Sequence, residues 1–96
     1  MTRRDDELET LRARIDDLDR AIVERLNERA RLALEAGRLK AAAGRDGVRD
    51  HEREREVLLR VAMANEGPLP QADLVEIYRR VIEAVVALEE RERSED

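Results

Sequence analysis

The sequence predicts an all-α chain of three helices, the first of them long, that wraps with a second copy of itself into an intertwined helical homodimer. Three observations lead there. Large aliphatic residues recur at three- and four-residue steps along most of the chain. Turn-forming glycine and proline cluster at only two places. The first apolar stripe is also longer than the remainder of a 96-residue chain can cover.

The first helix is expected from about Asp6 to Ala43, a stretch with no proline and a single glycine. Leu8, Leu11, Ile15, Leu18, Ile22 and Leu26 form one stripe along it. "GRDGV" (44–48) then breaks the pattern with two glycines. A second helix is expected from about Asp50 to Ala64, with Val57, Leu58 and Val61 on one face. "NEGPLP" (65–70) reads as a turn. The third helix starts near Pro70, a residue tolerated in a first turn. Its buried face is Leu74, Tyr78, Ile82 and Val85, and its tail "EERERSED" is expected to fray. No internal repeat and no strand pattern is visible.

At about 1.5 Å per residue, a first helix of about 37 residues would be roughly 55 Å long. A compact domain of this size has a radius of gyration of only about 13 Å. Two shorter helices cannot cover such a rod, and a second copy of the chain can. The length otherwise suits one domain, 1–96, with a core over about 6–92.

Composition narrows the function. Charged residues make up 45% of the chain and Tyr78 is the only aromatic, so any core is aliphatic and thin. With no cysteine there is no disulfide and no thiolate metal site. The opening "MTRRDDELET" lacks an apolar signal segment and no run approaches transmembrane length, so a soluble cytoplasmic protein with no membrane partner is expected. A net charge of −5 argues against general nucleic-acid binding.

Charged side chains fall on the apolar stripes. At about 100° per residue, Arg29 projects about 20° from Leu18 and Lys40 about 40°, with small Ala33 and Ala36 between them. Lys40, in "GRLKAAAG", is the only lysine among nineteen Lys and Arg residues. Arg29 and Lys40 stand about 16 Å apart along the axis, within joint reach of one small anion. Arg12, roughly 25 Å from Arg29, reaches that anion only from an antiparallel partner. On the second helix Asp50, Arg53 and Glu54 line up with Val57 and Val61. On the third, Glu89 projects between Ile82 and Val85. By pattern alone these groups also suit snorkelling, glutamate pairing, a solvated face or a frayed end. His51 is expected to be exposed and is given no role.

These residues are similar to a known family. "LRARIDDLDRAIVERLNERARLALEAGRLK" (11–40) resembles the opening helix of the all-helical chorismate mutases. The resemblance rests on Leu11-Arg12, Ile15 to Asp19, Glu28-Arg29 and Gly37 to Lys40. "VRDHERERE" (48–56) resembles the family's second motif, an Arg-Asp followed by Arg-Glu. The resemblance implies a domain-swapped dimer with two sites that converts chorismate to prephenate, on the route to phenylalanine and tyrosine. It implies that Arg12, entering from the other chain, and Arg29 bind the substrate carboxylates. Lys40 would bind a carboxylate and the ether oxygen, and Glu89 would be the second donor to that oxygen. Asp50 and Glu54 would serve the ring hydroxyl region, and Arg53 would organise the carboxylate end. Many members carry glutamine at the position of Glu89 and serine at that of Val85. Valine cannot donate a hydrogen bond, so one contact to the ring carboxylate would be lost.

The chemistry suits the composition. An intramolecular pericyclic rearrangement requires no nucleophile, metal or cofactor, and the chain holds one histidine, one serine (Ser94) and no cysteine. It requires a substrate held in its reactive conformer and a preorganised cation where negative charge develops on the ether oxygen. A compact ammonium suits a single oxygen, whereas guanidinium forks suit carboxylates. Lyases and mutases acting on isomers or amino analogues of chorismate share such cations, and a non-catalytic helical dimerisation module is the reading from a different class.

Overall fold

In the computed structural model, residues 2–45 and 49–95 are described, and they form three helices: α1 (Arg3–Ala42), α2 (His51–Ala64) and α3 (Gln71–Ser94). Among the described residues there is no strand, and no helix is long and apolar enough to cross a membrane. Of the predicted break "GRDGV", residues 46–48 lie outside the described residues. The chain divides into two units, Met1–Leu32 and Ala33–Asp96.

In the first unit α1 begins three residues before the predicted start, for a capping reason. The Asp5 amide donates to Thr2 Oγ1 at 3.1 Å, and the Thr2 amide donates to Asp5 Oδ2 at 3.0 Å. This reciprocal cap satisfies two orphan backbone donors and holds the Asp5 carboxyl below its ordinary pKa, chiefly through the Thr2 amide. Ion pairs such as Arg3–Glu7, Arg12–Glu9 and Arg25–Glu28 line the helix surface at three- and four-residue spacing. The apolar stripe is exposed: Leu11, Ile15, Leu18 and Ile22 keep 53–62% of their accessible surface within the chain.

In the second unit α2 packs on α3, whose Ile82 and Val85 are the buried core. Val57, Leu58 and Val61 of α2 and Leu74, Tyr78 and Val81 of α3 are half-buried. Asp50 is the N-cap of α2, its carboxylate accepting the Arg53 amide at 3.0 Å. The turn at 65–70 is organised by Asn65, which accepts the Gly67 amide at 2.9 Å and donates to the Leu69 carbonyl at 3.0 Å. Gly67 takes a positive φ of 80°, where a side chain would be strained. Pro70 stands as N-cap rather than inside the first turn of α3.

The tail does not fray where predicted. "EERERSED" stays helical to Ser94, because Glu92 pairs with Arg38 of α1 and Ser94 Oγ donates to the Glu90 carbonyl at 2.9 Å. The apolar pattern of α3 gives no sign of that ion pair.

Candidate active site

The end of α1 explains the placement of Lys40. Gly44, at φ 78°, donates its amide to the Ala41 carbonyl at 3.0 Å, and the Arg45 amide donates to the Lys40 carbonyl at 2.8 Å. This is a Schellman closure, which requires a left-handed residue and therefore favours glycine. It fixes the last turn, and Lys40, half-buried there, complements the negative end of the helix dipole.

Glu89 of α3 lies over α1 at Gly37, three residues before Lys40. A Cβ built on Gly37 would lie 3.9 Å from both Cδ and Oε2 of Glu89, so the carboxyl group lies over the side of α1 that lacks a side chain. Burial pushes the Glu89 carboxyl above the ordinary range. Lys40 and Arg93 pull it down, while Glu54 and Glu92 push it further up, and the net direction is upward. Beside it a cleft of about 340 Å³ opens between Leu34, Gly37, Arg38 and Ala41 of α1 and Glu89, Glu92 and Arg93 of α3.

Glu54 approaches from the start of α2. Arg49 grips it in a two-point fork, with Nε to Oε2 and Nη2 to Oε1 both at 2.7 Å. That hydrogen bonding holds the Glu54 carboxyl below its usual value against the opposing effect of burial. Arg49 also reaches Glu83 of α3.

The second unit therefore brings Lys40 and Glu54 within electrostatic range of Glu89. Asp50 stands four residues before Glu54 with one carboxylate oxygen engaged in the helix cap. The Arg53 guanidinium is exposed and pairs with Glu56 at 3.6 Å. Val85 is in the core, only 8% exposed. In the first unit Arg29 is half-buried, and Arg12 is exposed and pairs with Glu9 at 3.3 Å.

Sequence reasoning passed over Arg49, Glu83 and the Arg38–Glu92 pair. Arg49 stands before the helix and so has no place on a helical stripe. Glu83 is one step past Ile82 and projects off the buried face. The Arg-Asp step that opens the second motif was the available signal for Arg49.

The fold and the site define an all-helical protein with cations and carboxyl groups gathered near the end of a long first helix. The chain belongs to the chorismate mutase type II family, whose pattern it matches over residues 11–90. It is 40% identical over 90 residues to a bifunctional chorismate mutase/prephenate dehydratase of Aquifex aeolicus, covering 90% of this chain. It is 37% identical over 89 residues to the protein of the same description from Stutzerimonas stutzeri, covering 88% of this chain. The chain spans only about a quarter of those relatives, 25% and 24% of their lengths. Among solved structures, it resembles a chorismate mutase (form II) of Thermus thermophilus at 34% identity and a TM-score of 0.82, covering 88% of this chain and 96% of that one.

Proposed function

We propose that the chain, as a single domain, catalyses the Claisen rearrangement of chorismate to prephenate in aromatic amino acid biosynthesis. The observation that carries this reading, with the family membership, is the placement of the Glu89 carboxyl beside the last turn of α1, which bears Lys40. Two donors there serve one oxygen. The reaction breaks the C–O bond of the enolpyruvyl ether and forms a C–C bond in a cyclic movement of electrons, and negative charge gathers on the departing ether oxygen. The Lys40 ammonium and a protonated Glu89 donate hydrogen bonds to that oxygen. They stabilise the transition state more than the ground state because the charge grows as the bond breaks.

The remaining residues hold the substrate in its compact conformer. Arg29 and Arg12 of the partner subunit grip the two carboxylates, Arg53 organises that end, and Asp50 and Glu54 accept from the ring hydroxyl. Val85 supplies an apolar wall where a hydrogen-bond donor would otherwise stand. The second copy of the chain covers the exposed stripe of α1, and the assembly is a soluble cytoplasmic homodimer. No metal or cofactor takes part.

Incubating purified protein with chorismate, and identifying the product, tests the reading. Lys40→Ala is expected to lower kcat/KM by about 10²–10³-fold, the loss typical of removing one donor to a developing oxyanion. Turnover of isochorismate in place of chorismate, or a Lys40→Ala variant as active as the parent, would overturn it.

A further inference from the structure

Arg49 makes contacts that an ordinary surface ion pair does not. Its side chain is 32% exposed and that of Glu54 19%, so the fork between them is part-buried. Both Glu54 oxygens are engaged at 2.7 Å, by Nε and by Nη2, which fixes the plane of the carboxylate as well as its place. The same guanidinium reaches Glu83 of α3 through Nη2, and through Nη1 at 3.4 Å, so Glu54 is referenced to the helix that carries Glu89.

The neighbourhood explains why such a clamp is required. Asp50 and His51 face Glu54 from its own segment, with His51 Nδ1 at 4.0 Å, and Glu89 faces it from α3. Two of these three neighbours are acidic. Without a cation gripping it, Glu54 would meet like charge and take up a proton more readily. An ionised carboxylate offers about four acceptor positions, so a fork that uses two leaves two free for a ligand.

We propose that Arg49 is a positioning residue, holding the Glu54 carboxylate in one orientation so that its free lone pairs accept a hydrogen bond from the hydroxyl of the substrate ring. This inference rests on the function proposed above. Arg49 touches no substrate. It acts through Glu54, and Glu83 anchors it to α3.

The test is a kinetic and spectroscopic comparison of Arg49→Gln and Arg49→Lys with the parent, after circular dichroism has established equal helicity. Arg49→Gln is expected to lower kcat/KM about tenfold, mainly through KM, because the hydroxyl contact exists in both ground and transition states. The acid limb of its pH profile moves to higher pH, because Glu54 protonates sooner. Arg49→Lys keeps the charge without the fork and falls between. Adding Arg49→Gln to Glu54→Gln brings little further loss, because Arg49 acts only through Glu54. A side-chain carboxyl NMR titration follows Glu54 directly, without turnover, and should move upward in Arg49→Gln. If the parent fails to convert chorismate, the functional reading fails, and the titration still decides whether Arg49 controls Glu54. If Arg49→Gln does not fold, Arg49→Lys carries the same titration. A lowered melting temperature with an unmoved Glu54 titration and an unmoved acid limb would reduce Arg49 to a structural tie and overturn the proposal.

Discussion

Glu89 is the residue whose protonation state decides its chemistry. In the proposed reaction an ionised Glu89 would accept and repel the growing negative charge, whereas a protonated one would donate. Burial raises its pKa, with Glu54 and Glu92 acting in the same direction and Lys40 and Arg93 against it. The protonated fraction therefore declines as pH rises through that raised value, and activity is expected to increase as pH falls below neutral. Glu89→Gln, a donor at every pH, should flatten that alkaline decline in kcat/KM, and a profile that superimposes on the parent's would remove Glu89 from the role. Linkage gives the same residue a matching sign in stability. The folded state binds the Glu89 proton more tightly than the unfolded state, so its contribution fades as pH rises through the folded value. Glu54 has the opposite sign, because Arg49 lowers its pKa. Its contribution is present above the ordinary carboxylate range and is lost as pH falls through the folded value. Thermal unfolding followed across acid pH should separate the two, with Glu54→Gln removing the acid-side loss.

At the scale of the element, the last turns of α1 present a glycine where helix propensity would prefer alanine. Gly37→Ala would place its Cβ 3.9 Å from the Glu89 carboxyl, an ordinary van der Waals distance. It should therefore stabilise the protein by about 0.5–1 kcal/mol through the lower conformational freedom of the unfolded chain. Urea unfolding measures this, and a lowered midpoint would mean that the Glu89 carboxyl cannot yield. The capping groups show how legible the elements were. Gly44 announced the end of α1, and the periodicity of α2 and α3 marked their buried faces correctly. The start of α1 was misplaced because Thr2 and Asp5 cap one another, a local bond that an apolar pattern does not register. The tail of α3, expected to fray, is helical to Ser94 where Glu92 is held by a residue 54 positions away.

For the whole molecule, the outstanding quantity is the apolar surface of α1. Leu8 to Leu26 keep 39–62% of their accessible surface along the stripe, an arrangement that a second copy of the chain would bury. The proposed assembly makes Arg12 and Lys40 of one site come from different copies, and this can be tested without a further structure. Arg12→Ala and Lys40→Ala are each expected to be nearly inactive. Unfolding and refolding them together yields mixed dimers in which one site has both residues intact, so activity should return to roughly a quarter of the parent's. No recovery in a mixture shown by sedimentation to be dimeric would place both residues of a site in one chain, and a monomeric parent would remove the dimer altogether.

The amino-acid order alone determined the helix count, the approximate limits of the helices, the family resemblance and the residue types the chemistry calls for. Those depend on periodicity, on glycine and proline at chain breaks and on motif spacing, all of which are local. The tertiary structure alone decided that Glu89 lies over Gly37, that its carboxyl is driven upward by burial, and that Arg49 joins Glu54 to Glu83. Those are relations between residues distant in the chain. Burial and ion pairing depend on which surfaces meet, and a helical projection shows only the direction in which each side chain leaves its own axis.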